Sequence, residues 1–253
     1  MTKEISLERW KLAQKSEKDL WAHSDLKEII KLEGEYYSTR AKELPKIWSK
    51  FISLDKNTRI LQIGCGPLDV INYLNFGQKY SIDPLAEFYK KIFKVDYESS
   101  HLTEAAGEKI PFPDKYFEVV IITNVLDHTH IPSKTLDEIH RVLKDNGLLH
   151  LETHTYQKQF LFIAKIWGFF KKLLVKEIFN IHHPHMFLKQ EVKNLVSKKF
   201  MIVDEHIGKE IGLVKNLKEL RARKLKDKKI TVRIPALFGL LGTINYMLIC
   251  RKK

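Results

Sequence analysis

The stretch RILQIGCGPLD, Arg59 to Asp69, decides how this chain is read. An apolar run of strand length stops abruptly at Gly64-Cys65-Gly66-Pro67, and a helix-like pattern follows. Two explanations compete: a strand feeding a nucleotide-binding turn, or an ordinary tight turn that holds two glycines. Glycine lets the backbone approach a ligand, and the free amides at a helix start favour negative groups. The pair alone does not decide, because glycines follow strands in many turns. Asp83 adds weight, since it ends the next apolar run about 20 residues on, where a carboxylate accepts both ribose hydroxyls of a nucleoside cofactor. A plainer role for Asp83 is to cap the helix opened by Pro84.

Outward from that turn, short apolar runs recur at Arg59–Ile63, Tyr80–Ile82, Phe117–Thr123 and Leu148–Leu151. Helical stretches separate them at Asp69–Asn75, Leu85–Phe93 and Ser133–Leu143. Strands and helices alternating at this length predict a parallel sheet with helices on both faces. KDNGL, Lys144–Leu148, reads as a helix stop with Gly147 in the turn. Upstream, Ser6–Lys50 has a helical apolar rhythm, expected to break near Gly34. Downstream, Lys189–Lys198 predicts a helix, and Phe200–Ile207 and Ile244–Arg251 predict strands. The domain reading is a helical cap over 1–52, a cofactor-binding core over 53–156, an amphipathic insertion over 157–187, and the rest of the core over 188–253.

The insertion rests on Phe160, Ile163, Ala164, Trp167, Phe170, Leu174 and Ile178, which share one helical side, with Lys158, Lys165, Lys172 and Lys176 opposite. Its charges make it a poor membrane span. A lid, a membrane-surface contact and a dimer face all remain open for it, and oligomeric state is unreadable. Ile234–Cys250 is uncharged for 17 residues, but Pro235, Gly239, Gly242 and Asn245 interrupt it, which favours a loop and a final strand.

The net charge is +13. Gln157–Ile181 holds five lysines and one acid, and Lys209–Lys229 nine Lys/Arg and three acids, so these two segments carry most of it. Such surfaces suit a phospholipid surface, a phosphorylated substrate or nucleic acid, or serve solubility alone. Cys65 and Cys250 give neither a disulfide framework nor metal-ligand spacing, and the first twenty residues lack a signal-peptide pattern. A cytoplasmic, reducing setting is expected, with peripheral membrane contact left open.

Four segments carry a sharper signal: ILQIGCGP, SIDP, AAGEKIPFPDKYFEVVIITNVLDHT and LDEIHRVLKDNGLLHLET. In order, spacing and wording they resemble class I S-adenosylmethionine-dependent methyltransferases, closest to the small-molecule group; the likeness is strong over Arg59–Thr153. A dehydrogenase would show a third glycine and no GEKIPFPDKYFEVV segment. The resemblance implies an α/β, Rossmann-like doubly wound, mostly parallel seven-stranded sheet, with N-terminal helices and a helical lid after the fifth strand. It implies S-adenosylmethionine as cofactor, with Gly64, Cys65 and Gly66 under its methionine part and Asp83 on the ribose diol. Gly107 and Glu108 would lie beside the adenine, and Asn124 and Val125 would face the methionine moiety and the sulfonium. Tyr36 or Tyr37, before Arg40, would close the site or simply pack. Three positions depart from the family: Gln62 replaces a usual acid, Leu68 a common glycine, and Ala106 a frequent adenine-binding Asp.

Methyl transfer requires the acceptor beside the methyl carbon and, for an alcohol, removal of a proton. Histidine is the natural base near neutral pH. The candidates are His128 in NVLDHTH, His154, and the IHHPHMF group with His182, His183 and His185. His185, His182 and His128 are the leading choices, because the group follows the expected lid and would return over the pocket. Asp127 either orients His128 or belongs to a helix start. No metal is expected, because His-Pro-His offers neither Cys nor a positioned carboxylate.

NVLD after the fourth strand is not an Asn-Pro-Pro-Tyr-like tetrapeptide, which argues against exocyclic base amines as acceptors. No cysteine is placed to attack a pyrimidine ring, so nucleic acid is disfavoured. A small molecule or sugar, methylated on oxygen or nitrogen, fits best, with a lipid- or phosphate-linked glycan as one form. The rivals are a membrane-surface lipid or quinone methyltransferase, and a non-enzymatic nucleic-acid-binding module on the same fold.

Overall fold

The computed structural model describes residues 5–93, 101–162, 166, 183–208 and 243–253. Most of the expected amphipathic insertion, His182, and the basic segment Lys209–Lys229 lie outside the described residues.

Two helices, α1 (Leu7–Ala22) and α2 (Leu26–Trp48), precede the sheet. The break falls at residues 23–25 rather than near Gly34. At this point the side chains of His23 and Ser24 take the carbonyls of Asp19 and Leu20, competing with helix continuation. Gly34 stays inside α2, where an added Cβ would meet Ile30 and Tyr73 only at ordinary contact distance, so it marks no turn.

The strands are β1 (Arg59–Ile63), β2 (Gln78–Asp83), β3 (His101–Glu104), β4 (Phe117–Thr123), β5 (Leu143–Tyr156), β6 (Phe187–Leu188), β7 (Phe200–Ile207) and β8 (Ile244–Lys252). Their order is β3-β2-β1-β4-β5-β8-β7, with the two-residue β6 paired to the end of β5. β1 to β5 run parallel, and β8 is antiparallel to both β5 and β7. The strand order reverses between β1 and β4, and open α/β sheets bind ligands outside the carboxyl ends of strands at such a point.

Alternation along the strands builds a core on each face. Leu61, Ile63, Val120, Ile122, Leu149 and Leu151 pack with α4 (Pro132–Val142) and α5 (Lys189–Val196) through Leu136, Ile139, Val192 and Val196. Ile60, Val119, Ile121 and Met247 face the other way, onto Leu44, Ile47 and Trp48 of α2 and onto Val70 and Ile71. Trp48 is fully buried, and its Nε1–H donates to Nδ1 of His150 on β5 at 3.0 Å, which fixes α2 on the sheet. The helix expected over Asp69–Asn75 is a single 3-10 turn, Val70–Tyr73. Asp69 caps it by accepting from Ile71 N, and the chain turns extended at Leu74 on its way to β2. α3 spans Ala86–Phe93.

β3 went unread because only Leu102 of its four residues is buried. β5 is longer than its apolar run because His150, Glu152, Thr153 and Thr155 are buried polar residues that break the pattern. KDNG belongs to this strand as a bulge: Phe117 pairs with Leu143, but Val119 pairs with Leu148. A Cβ on Gly147 would come within 2.9 Å of the Lys144 carbonyl, so the bulge needs glycine.

Candidate active site

The turn after β1 reaches the cleft through two left-handed glycines, Gly64 at φ 66° and Gly66 at φ 61°. A Cβ on Gly64 would lie 2.3 Å from Cγ2 of Val125, so the loops after β1 and β4 touch with no space between them. Around Gly66 there is open space, and its amide donates to Oδ2 of Asp83 at 3.0 Å. Oδ1 of Asp83 accepts from Leu85 N at 2.8 Å, so this carboxylate holds both the turn and the start of the next helix. Burial pushes the Asp83 carboxyl up to about 6, against the two backbone hydrogen bonds, with Glu17 and Glu104 adding repulsion.

These residues border an open cleft of about 1190 Å³, counting its solvent-filled mouth. Gly64, Cys65, Gly66, Asp83, Gly107, Glu108, Asn124 and Val125 all line it, as do Gln62, Leu68, Ala106, Tyr36, Tyr37 and His128. The Glu108 carboxylate itself turns away, accepting from His130 N at 2.6 Å and Ile131 N at 3.1 Å to cap α4. Asn124 adopts φ 55°, a conformation Asn tolerates better than most side chains.

Two carboxamide oxygens at the cleft, Oε1 of Gln62 and Oδ1 of Asn124, are buried with no hydrogen-bond partner among the described residues. Orphaned acceptors of this kind fit an incoming ammonium or amide donor. Arg40, also on the cleft, forms a buried ion pair with Glu152, Nη2 to Oε2 at 2.7 Å. α1 borders the cleft with Trp10, Gln14, Glu17 and Trp21, which repeat at the period of one helical face. Trp10 Nε1–H donates to the His128 carbonyl at 3.1 Å, pinning α1 to the loop after β4. The two tryptophans at the ends of that face were the available signal, read from sequence only as helix packing.

Beyond Val125 stands a histidine cluster built around Asp127, whose side chain is fully buried. His183 Nδ1–H donates to Asp127 Oδ2 at 2.8 Å, while His154 Nδ1 lies 3.7 Å and His128 Nε2 3.9 Å from the same oxygen. Thr153 Oγ1 donates to the other oxygen at 3.3 Å. Burial would raise the Asp127 carboxyl, but the surrounding histidines hold it well below the usual carboxylate range. Burial lowers His128, whereas the Asp127 hydrogen bond overcomes burial and raises His183.

The leading histidines thus separate. His128 borders the cleft. His185 is buried away from it: its Nε2–H donates to the Thr129 carbonyl at 2.9 Å, its backbone N to the Asp127 carbonyl at 3.1 Å, and its ring stacks on Phe187. His182 lies outside the described residues. His183, reached through the HPH turn, is the member of that group that meets Asp127.

Comparison with known proteins agrees with this architecture. The family described as methyltransferase domain matches residues 61–151. A thiol S-methyltransferase of Mus musculus is 33% identical over 110 residues, 41% of this chain and 45% of the relative. The chain therefore spans about half the length of the curated relatives it matches. Among solved structures, a putative sarcosine dimethylglycine methyltransferase from Galdieria sulphuraria superposes with a TM-score of 0.57 at 13% identity, covering 83% of this chain and 84% of that one. A phosphoethanolamine N-methyltransferase of Haemonchus contortus, in complex with S-adenosylhomocysteine, gives a TM-score of 0.53 at 15% identity, covering 83% and 52%. The chain has the class I S-adenosylmethionine-dependent methyltransferase fold. Residues 61–151 match the methyltransferase-domain family, whose cofactor is S-adenosylmethionine.

Proposed function

We propose that the protein transfers a methyl group from S-adenosylmethionine to a nucleophilic heteroatom of a small molecule. The observation that carries this reading is the continuity of the cleft, from Gly64, Gly66 and Asp83 past Asn124 and Val125 to His128. S-adenosylmethionine supplies a methyl carbon activated by the adjoining sulfonium. Gly64, Cys65 and Gly66 bring backbone close to its methionine part, and Gln62 and Asn124 offer unpaired oxygens to the amino group. Asp83 accepts the ribose hydroxyls, and the Gly107–Glu108 backbone borders the adenine. At Asn124 and Val125 the acceptor's lone pair meets the methyl carbon as the sulfur–methyl bond breaks. His128 takes the acceptor's proton, and His185 acts by fixing the Thr129–Asp127 loop.

The acceptor is a compact molecule carrying oxygen, nitrogen or sulfur. The first two follow from the histidines, and the third from the likeness to thiol S-methyltransferases. A sugar, including one on a lipid or phosphate carrier, remains within this class. Among the described residues no helix is long and apolar enough to cross a membrane.

Calorimetric titration of S-adenosylmethionine and S-adenosylhomocysteine into the wild type and Asp83→Ala tests the reading. Micromolar binding lost in the variant is the expected result. Release of S-adenosylhomocysteine with a panel of thiols, amines and sugars then identifies the acceptor atom. No binding to the wild type, with salt-dependent binding of RNA or DNA instead, would replace this reading by the nucleic-acid module.

A further inference from the structure

We propose that Asp127, His154 and His183 form a binding site for a zinc-class divalent cation at the acceptor end of the cleft. Their ligand atoms, one carboxylate oxygen and two imidazole nitrogens, all lie within 4.8 Å of one another. The sequence reading expected no metal because IHHPHMF lacked a carboxylate; the fold brings one from the loop after β4. It brings the second imidazole from β5, so the three ligands come from three separate places in the chain.

The strongest observation is His154. Its Nδ1 is buried and makes no hydrogen bond among the described residues, yet it is aimed at Asp127 Oδ2 from 3.7 Å. That is too long for a hydrogen bond. It is close to the ~3.3 Å that separates two ligands sharing one tetrahedral zinc at bond lengths near 2.0–2.1 Å. The His183 to Asp127 distance of 2.8 Å brackets the same value from below. All three atoms thus lie within the span that one ion with its ligands would occupy.

The surroundings fit as well. Asp127 is fully buried, and neither a lysine nor an arginine lies within ion-pair distance of it among the described residues. The histidines that stabilise its charge are its only nearby cationic groups among the described residues, and a bound cation would serve the same carboxylate with those histidines neutral. Thr153 Oγ1 holds the other oxygen, which orients the ligand as outer-shell partners do. Two imidazoles and one carboxylate select first-row borderline cations over magnesium or calcium, and three protein ligands leave an open position, as in catalytic zinc sites. His128 borders the cleft, and its ring centroid lies 4.5 Å from that of His183.

Taken with the proposed methyl transfer, on which this part rests, the open position would receive the acceptor's thiol or hydroxyl. Coordination lowers the pKa of that group; its proton leaves to His128 or water, and the bound anion attacks the methyl carbon.

The test uses the full chain, stripped with a chelator and titrated with Co²⁺ under visible absorption, followed by displacement with Zn²⁺. One equivalent per chain is expected, with the d–d bands of a low-coordinate imidazole–carboxylate site. His154→Ala and His183→Gln should each weaken binding by at least about tenfold, the effect ascribed even to outer-shell losses. S-adenosylhomocysteine affinity and the thermal midpoint of the metal-free chain report that each variant is folded. Binding below one equivalent, or binding unchanged in both folded variants, overturns the site and assigns the metal to other histidines. A wild-type chain that binds the metal but fails to bind S-adenosylhomocysteine would overturn the methyltransferase reading and leave the site standing.

Discussion

Asp83 makes a quantitative prediction, because on the proposed reading its carboxyl must be ionised to accept two ribose hydroxyls and yet it sits where burial raises it to about 6. Only the ionised fraction of the free protein is competent to bind. With that pKa, about nine-tenths is competent at pH 7 and about one-tenth at pH 5, so the dissociation constant for S-adenosylhomocysteine rises about tenfold between them. The stability of the ligand-free chain moves with the opposite sign to ordinary acid unfolding. The folded carboxyl titrates above its unfolded value of 3.8, so protonation favours the fold. Stability from this group is greatest below pH ~4 and declines as pH rises through about 6, by up to ~3 kcal/mol for a shift of two units. Asp83→Asn separates the effects. It keeps the shape but places an amide donor opposite the donors of Gly66 or Leu85, and it removes the charge. Affinity should fall about 10–100-fold for the loss of a charge-assisted hydrogen bond. The pH dependence between 5 and 7 should vanish with it. Calorimetry at three pH values on both proteins is the assay. Wild-type binding that ignores pH, or an equal slope in Asp83→Asn, refutes the assignment of the ribose to this carboxylate.

Gly64→Ala places a methyl 2.3 Å from Val125 Cγ2 at a positive φ, so S-adenosylhomocysteine binding should be lost; adding Val125→Ala should recover part of it, measured by calorimetry. Trp48→Ala should cost about 3–5 kcal/mol in urea unfolding, because it empties a buried aromatic site and removes the donor to His150. Arg40→Met strands the Glu152 carboxylate and should cost about 3–5 kcal/mol; adding Glu152→Leu should recover most of that loss, read as a double-mutant cycle in the same assay. His128→Ala should lower kcat about 10²–10⁴-fold while S-adenosylhomocysteine affinity stays within a few fold; a loss confined to cofactor affinity would refute its role as base.

The cofactor half of the cleft was legible in the sequence because its determinants are local. A glycine turn, a carboxylate at a strand end and an apolar run each act within a few residues of their own position. Gly64 and Asp83 were named from their local pattern and Asn124 from the family resemblance, and all three border the cleft. β3 and the polar length of β5 were hidden for the same reason reversed: His150 and Glu152 are buried by partners on α2, about a hundred residues earlier in the chain, and no local pattern announces a satisfied polar core. His182–His185 could be found as a group, but the group could not be resolved. Which imidazole reaches Asp127 is set by the register of β6 on β5 and by the His185 bond to Thr129, both tertiary facts.

That division follows the sheet itself. β1, β2 and β4 meet at the strand-order reversal, and their loops supply the glycines, Asp83 and Asn124. β5 and the segment that returns to it through β6 supply His154 and His183 on the far side of Val125. Val125 fills the space that a Cβ on Gly64 would need, so the tightest point of the site lies between the two halves. On the proposed reading the side chains after β4 serve transfer and those after β1 and β2 serve cofactor affinity, so substitutions in the two groups should separate kcat from KM accordingly.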